Sequence, residues 1–226
     1  MKTTPQLLAI IDPYSVMAQQ MFDIYGYSFP LEEQDPVADL QRELLISAQK
    51  NKEGKGGLYA LGGVVDGELI TFCIFHYSTL YQLGFISFIA VAREAKGKGY
   101  GSWIFQEVLN YLRKVPNDSL KGVCWEVNVP DEAGPAAEQE IRNKRIRFYE
   151  KNRSQTLSHI DYTAPPITAK LPPVAYLLMY KSLHEKSNDL SPEWQKNILK
   201  FIFFEIYGVD ANQVFYQKAL ATIKPI

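Results

Sequence analysis

Net charge is almost absent: 24 Lys and Arg stand against 25 Asp and Glu in 226 residues, a formal charge of −1. No chain-wide basic field exists to draw in nucleic acid or anionic lipid, although a local basic pocket can still occur. Cysteine is scarce as well. Cys73 and Cys124 each lie inside an apolar, strand-like run, the setting of buried free thiols in a reducing compartment more than of a disulfide. Histidine is limited to His76, His159 and His184, with no ligand spacing among them, so no metal site is expected. Long apolar runs are missing too. The greasiest segment, FIFFEIY at 201–207, is broken by Glu205 and falls well short of the ~20 residues that cross a bilayer. The short N-terminal apolar run meets Asp12-Pro13 early and does not read as a signal peptide. These absences point to a soluble, cytoplasmic protein with neither membrane nor nucleic acid as partner. What is present, 46% hydrophobic and 22% charged residues, is ordinary for a globular chain.

Periodicity supplies the organisation. LLAII (7–11) reads as a short strand, residues 14–26 as a helix ended by Ser28-Phe29-Pro30, and 38–49 as a second helix with Leu40, Leu44 and Leu45 on one face. NKEGKGG (51–57) reads as a loop. LYALGGVV and ELITFCIFHY are strands joined by Asp66-Gly67, a strong hairpin signal. GFISFIAV (84–91) is apolar on both faces, as a central strand is. A helix over 101–114 follows, with Ile104, Phe105, Val108, Leu109 and Leu112 on one side. Then come a strand at 122–129, a helix at 136–151, and two strands near 156–163 and 174–182 flanking a proline-rich loop. HEKSNDL (184–190) reads as a polar linker. Beyond it, Ser191-Pro192 can open a helix running to Tyr207 with Gly208 to end it, and Asp210 with Gln213 resembles a capping box for a last helix. The pattern is α/β (α+β): residues 1–183 form a layered domain and 191–226 a helical extension.

The informative stretch is KGKGYGS, residues 96–102, where a strand passes into a helix. It is not a dinucleotide fingerprint, because the position that needs a last glycine is Ser102, and no Gly-Lys-Ser/Thr closes it as a Walker loop. It does offer a strand, a turn of small residues and a helix start, whose exposed amides and dipole suit phosphate oxygens. A side chain at 97, 99 or 101 would hold a diphosphate away, while Lys96 and Lys98 add positive charge at the rim. The plainer reading is a glycine-rich turn with solvated lysines.

Spacing decides between them. Val91 ends the strand, Lys96 follows five residues later, and Gly97, Gly99 and Gly101 come directly after. This resembles the acetyl-CoA signature of the GNAT superfamily of N-acetyltransferases, in which a strand-ending Val precedes Arg/Gln-Gly-x-Gly-x-Gly/Ala at a helix start. Lys96 replaces the commoner Arg or Gln. RIRFYEKN (145–152) resembles the family's Tyr-Glu-Lys segment at the end of the next helix. Two features depart: Arg142, with Asn143 next door, stands where the family often has Asn, and Arg153-Ser154 replaces the usual Gly-Phe.

The resemblance implies a mixed, mostly antiparallel central sheet with helices on both faces. It implies that backbone groups of Ile89, Ala90 and Val91 pair with pantetheine as if it were a strand, in a gap beside the strand at 122–129. The diphosphate would sit on Lys96, Gly97, Lys98, Gly99, Tyr100, Gly101 and Ser102, with Asn143 as a further cofactor contact. It implies a direct attack of an amine on acetyl-CoA, with no metal. Tyr149 stands where the family often places a general acid near the thioester sulfur; its plainer role is a core aromatic at a helix end. Glu126, the one carboxylate within an apolar strand, can take the ammonium proton, or form a structural ion pair with an arginine of the 141–153 helix. His76, on the face of Ile70, Phe72 and Ile74, is a second candidate. Tyr25, Tyr27, Phe29, Glu32 and Glu33 can receive a cationic amine, with Tyr162 on the opposite wall; a hydrophobic staple with solvated acids is the alternative. The expected acceptor is a small-molecule or peptidyl amine. A non-catalytic acyl-CoA-binding module is the rival reading. The apolar tail, with Trp194, Ile198, Phe201, Ile202, Phe204 and Tyr207 on one helix, must pack on its own domain or on a second subunit as a homodimer.

Overall fold

A computed structural model describes residues 3–50, 56–115, 120–130, 134–168, 170–184 and 190–223. The chain divides into two compact units, 1–120 and 121–226. Most of the expected 51–57 loop and of the 184–190 linker lies outside the described residues; Gly56 and Gly57 belong to a strand.

The first unit is a four-stranded antiparallel sheet between helices. Strands β1 (Gln6–Ala9), β2 (Gly56–Val65), β3 (Glu68–Ser78) and β4 (Leu83–Val91) pair in that order. Asp66 and Gly67, with φ of +51° and +85°, make the two-residue turn between β2 and β3; positive φ at both central positions is the hairpin geometry that matches strand twist. Helices α1 (Val16–Ser28) and α2 (Val37–Lys50) cover one face. There Met21, Phe22, Tyr25, Leu40 and Leu44 pack with Leu58, Ala60, Phe72, Ile74 and Phe88 in one core. Leu45, expected on that buried face, is 42% exposed: it follows Leu44 by one residue, which on a helix turns it outward. The other face of β2 and β3 meets α3 (Tyr100–Arg113). An added Cβ at Gly63 would lie 2.5 Å from the Trp103 ring, and Phe75 meets Tyr111 edge-on at 5.6 Å. Five buried residues of α3, Ile104, Phe105, Val108, Leu109 and Leu112, lock it down, each worth ~1.5–3 kcal/mol of burial.

The second unit is built on β5 (Gly122–Asn128) and β8 (Val174–Ser182), paired antiparallel with Glu126 opposite Leu178. Helix α4 (Ala136–Lys151) ends at Lys151, and Arg153 follows it in the left-handed region at φ +61°. The single strand expected at 156–163 is instead two fragments, β6 (Gln155–Thr156) and β7 (Thr163–Ala164), both on β8. Between them the chain turns at 157–160, where Ile160 N–H donates to Leu157 O. Helix α5 (Pro192–Lys200) begins as expected, its Ser191 hydroxyl accepting from Trp194 N–H. It does not continue to Tyr207 as an α-helix. Phe201–Ile206 is a π-helical turn, and Gly208 ends the run at φ +62°. The capping box expected for the last helix is also different: Gln213 itself caps α6 (Val214–Ala221), accepting from Phe215 N–H, while Asp210 accepts from Asn212 N–H. The tail rests on its own unit, with the Trp194 indole N–H donating to the Tyr180 hydroxyl. The architecture is mixed α/β with antiparallel strand pairing, as the sequence indicates. Among the described residues no helix is long and apolar enough to cross a membrane.

Candidate active site

In the first unit, the segment that leaves β4 is shaped for close approach. Ala92 N–H donates to Ile70 O, which pins the end of the strand. A 3-10 turn over Arg93–Ala95 follows, with Ala95 buried beneath it. Gly97 then adopts φ +77° and Gly99 φ +88°, ψ 5°, backbone that residues with a Cβ rarely enter. Gly99 is the residue that caps α3, and no side chain accepts from the first turn there. The first helical bond runs from Trp103 N–H to Gly99 O. The Lys96, Gly97, Lys98, Gly99 and Ser102 positions are exposed, and Tyr100 and Gly101 half-buried. A helix start presenting amides beside two exposed lysines is an anion cradle by construction. Ile89, Ala90 and Val91 face Cys73, Phe72 and Thr71 of β3, and the Thr71 hydroxyl donates to Ala90 O.

The aromatic residues expected to receive an amine already have partners. Tyr25 is buried, and its hydroxyl donates to Asp35 O. Phe29 packs on Tyr25 and Phe88, with ring centroids 5.5 and 5.1 Å apart. One face of Tyr27 already carries a cation, the Arg93 guanidinium 4.3 Å above the ring. Glu32 is exposed on a 3-10 turn, Leu31–Glu33. His76, half-buried, has Nδ1 3.2 Å from Ser87 Oγ and Nε2 2.8 Å from Glu43 Oε1.

In the second unit, Glu126 is the centre of a half-buried polar group. Its Oε1 accepts from the hydroxyls of Tyr162 and of Tyr207, the latter at 2.8 Å. Burial and the neighbouring Glu126 charge hold both phenols well above their ordinary range, so both remain donors. Tyr162 is therefore not an open wall but part of this group, its ring against Phe203 at 5.7 Å. Of the arginines on α4, Arg145 donates to Asn128 Oδ1, and Arg142 to Glu138 and to Val129 O. Arg142 thus clasps the chain leaving β5, while Asn143 beside it is half-buried. Tyr149 is buried near the end of α4, its ring 4.8 Å from that of Trp125.

Four participants escaped the sequence reading. Tyr207 belongs to the tail, and only the π turn brings it to Glu126. Glu43 and Asp35 look like solvated acids in the sequence. Ser87 did leave a signal, as the one polar residue inside FISFIAV. Among the described residues no group of three His, Cys, Asp or Glu is placed to hold a metal.

The family model described as acetyltransferase (GNAT) family matches residues 18–134. No curated protein matches the sequence. Among solved structures, a GNAT-family protein from Bacteroides thetaiotaomicron is similar with a TM-score of 0.66 and 18% identity, over 91% of this chain and 99% of that one. An aminoglycoside 6′-N-acetyltransferase complexed with coenzyme A is similar with a TM-score of 0.54 and 13% identity, over 81% and 99%. An N-acetyltransferase from Staphylococcus aureus matches with a TM-score of 0.54 and 10% identity, over 80% and 100%. At these identities the structures establish likeness of fold.

Proposed function

The chain belongs to the GNAT family of acetyltransferases, and from that premise we propose that it transfers an acetyl group from acetyl-CoA to a primary amine of a small molecule or peptide, in one ternary complex. The observation that carries this reading is the turn at 96–102. Gly97 and Gly99 are held at positive φ, and α3 starts without a side-chain cap. Amides of 97–102 would take the diphosphate oxygens, with Lys96 and Lys98 at the rim. Ile89, Ala90 and Val91 would offer backbone groups to the pantetheine arm, and Asn143 a further contact.

Attack needs a neutral amine, a polarised thioester carbonyl and a proton for the departing thiolate. A backbone N–H near Val91 is the proposed polariser. Tyr149, at the family's tyrosine position, is the proposed donor to the thiolate. Glu126 enters as a fixed negative charge that favours the acceptor's ammonium. Two phenol donors on one of its oxygens support that role more than one in which the carboxylate must exchange partners. Tyr27, Phe29, Glu32 and Tyr162 stay in the proposal as the surroundings of the acceptor, Tyr162 acting through Glu126. The buried free thiols Cys73 and Cys124 support a cytoplasmic setting.

Calorimetric titration with acetyl-CoA, alongside CoA, ATP and NAD, tests the reading. Micromolar binding of the two CoA compounds alone is expected. Absence of CoA binding would reduce the glycines to a turn and remove the proposal's support.

A further inference from the structure

Where β3 and β4 pair, β4 carries one extra residue. Ile74 of β3 faces Phe88 and Phe75 faces Ile86, which leaves Ser87 without an opposite number. Neighbours on a regular strand point to opposite faces, whereas a bulge re-aims one of them. Here both residues turn towards the helices: the Phe88 ring meets Tyr25 of α1 at 4.8 Å, and Ser87 Oγ meets His76 Nδ1 at 3.2 Å. On the far side of the imidazole, Nε2 lies 2.8 Å from Glu43 Oε1 on α2.

The charge around this group is lopsided. Glu43 faces the imidazole from α2, Ser87 from β4, and Asp35 lies at the entry to α2. The Asp35 carboxyl is pushed up to about 6, by burial first and by Glu43 and Asp39 next, with His76 pulling the other way. Asp39 is paired with Arg42 at 2.7 Å. Tyr25 donates to the Asp35 backbone. The Glu43 and Asp35 carboxyl groups thus both act on one imidazole. The ionised Glu43 fixes the tautomer with Nε2–H towards itself, which leaves the Nδ1 lone pair to accept from the Ser87 hydroxyl. His76 is 14% exposed and Glu43 48%, so the chain of groups leads from a half-buried hydroxyl to water.

We propose that Ser87, His76 and Glu43 form a proton relay that takes the first proton from a cationic primary amine received at the β4 bulge. This rests on the reading that pantetheine lies along Ile89–Val91. From the amides at 97–102 the arm runs back down β4 past Val91 and Ile89, and Ser87 lies two residues, about 7 Å, beyond. The reacting end therefore arrives at the bulge. The ammonium gives a proton to Ser87 Oγ as the Ser87 proton passes to Nδ1. The freed lone pair attacks the thioester carbon; the C–N bond forms and the C–S bond breaks. The nitrogen loses a second proton as the amide forms, and that proton balances the one taken up by the departing thiolate. The imidazolium returns its proton through Glu43 to water. One ammonium and one thioester give one amide, one thiol and one proton.

Free-thiol release is measured across pH with spermidine, phenethylamine, glycinamide and methoxyamine, the last neutral at pH 7. His76→Gln and Ser87→Ala are expected to slow the alkylamines by on the order of 10²–10⁴ at pH 7. The loss should shrink as pH rises and fall below about tenfold with methoxyamine. CoA affinity, read by calorimetry, should stay within about twofold of the wild-type value in both variants, which also shows that they fold. Wild-type rates for His76→Gln with an alkylamine, an equal loss with methoxyamine, or no turnover with any of the cationic amines while CoA binds would each overturn the relay. Failure of the wild-type protein to bind CoA would instead overturn the cofactor reading beneath it.

Discussion

Replacing Gly99 by Ala, with Gly101→Ala as its companion, separates a turn that merely folds from one that holds phosphate. The two positions sit two residues apart but differ in backbone. Gly99 is at φ +88° before α3, and Gly101 is inside its first turn. An alanine at 99 is forced into the left-handed region at a cost of roughly 1–2 kcal/mol. At about 2–4 °C per kcal/mol for a chain of this length, the midpoint should fall by roughly 2–8 °C. An alanine at 101 meets only Val91 Cγ2, at an ordinary 3.5 Å, and should gain about 0.4–1 kcal/mol by restraining the unfolded chain. Binding should move differently. If Gly99→Ala re-aims one amide away from a diphosphate oxygen, it removes a charge-assisted bond worth ~1.5–3 kcal/mol, a tenfold to roughly hundredfold loss of CoA affinity. Calorimetry with CoA and with pantetheine, which lacks the diphosphate, reads this directly. Gly99→Ala should weaken CoA and leave pantetheine unchanged, and Gly101→Ala should cost CoA less than Gly99→Ala does. Equal losses for CoA and pantetheine, or an undiminished CoA affinity, would refute the amide cradle.

The remaining expectations concern the carboxylates and tyrosines. Tyr149→Phe should lower turnover by a factor on the order of ten to a thousand with CoA affinity nearly intact; steady-state kinetics at wild-type level would remove the acid assignment. Tyr207→Phe deletes a donor to Glu126 and should cost ~1.5–3 kcal/mol in urea unfolding, whereas a loss within error would mean that water replaces the phenol. The Asp35 carboxyl holds its proton up to about 6 in the folded chain, against an ordinary 3.8. Ionisation therefore opposes folding: stability drops as pH rises from about 4 to 6 and stays lower above. Asp35→Asn should accordingly stabilise at pH 7 by at most about 3 kcal/mol. The gain should vanish below pH 4, and a gain independent of pH would contradict the burial argument.

The parts of this protein that could be read from sequence are those governed by local rules. Asp66-Gly67 demands positive φ at two adjacent positions and obtains it. Gly97 and Gly99 were legible for the same reason, and Leu40 and Leu44 because helical spacing sorts faces. The misreadings share a different cause. The β-branched and aromatic residues near 156–163 suggest a strand, but tertiary pairing with β8 takes only its ends. Tyr207 reaches Glu126 across 81 positions of sequence, a distance over which no periodicity operates. Ser87 aligns with His76 only because β3 and β4 fall out of step between Ile74 and Phe75. A register shift is a property of two strands at once, and one strand read alone does not contain it.

The π turn at Phe201–Ile206 makes the tail a helix with two phases. Its wider loop, visible in the Tyr207 N–H to Ile202 O bond at 2.9 Å, stores one residue more than an α turn would. Upstream, Ile198 and Leu199 follow the frame set by Ser191; downstream, Tyr207 follows a frame rotated by the extra residue, about 100° on the helical wheel. Phase, unlike packing, is counted in whole residues. Shortening 201–206 by a single position would leave the apolar character of the tail intact and yet swing its phenol off the carboxylate. In this part of the chain, length is therefore held as tightly as identity.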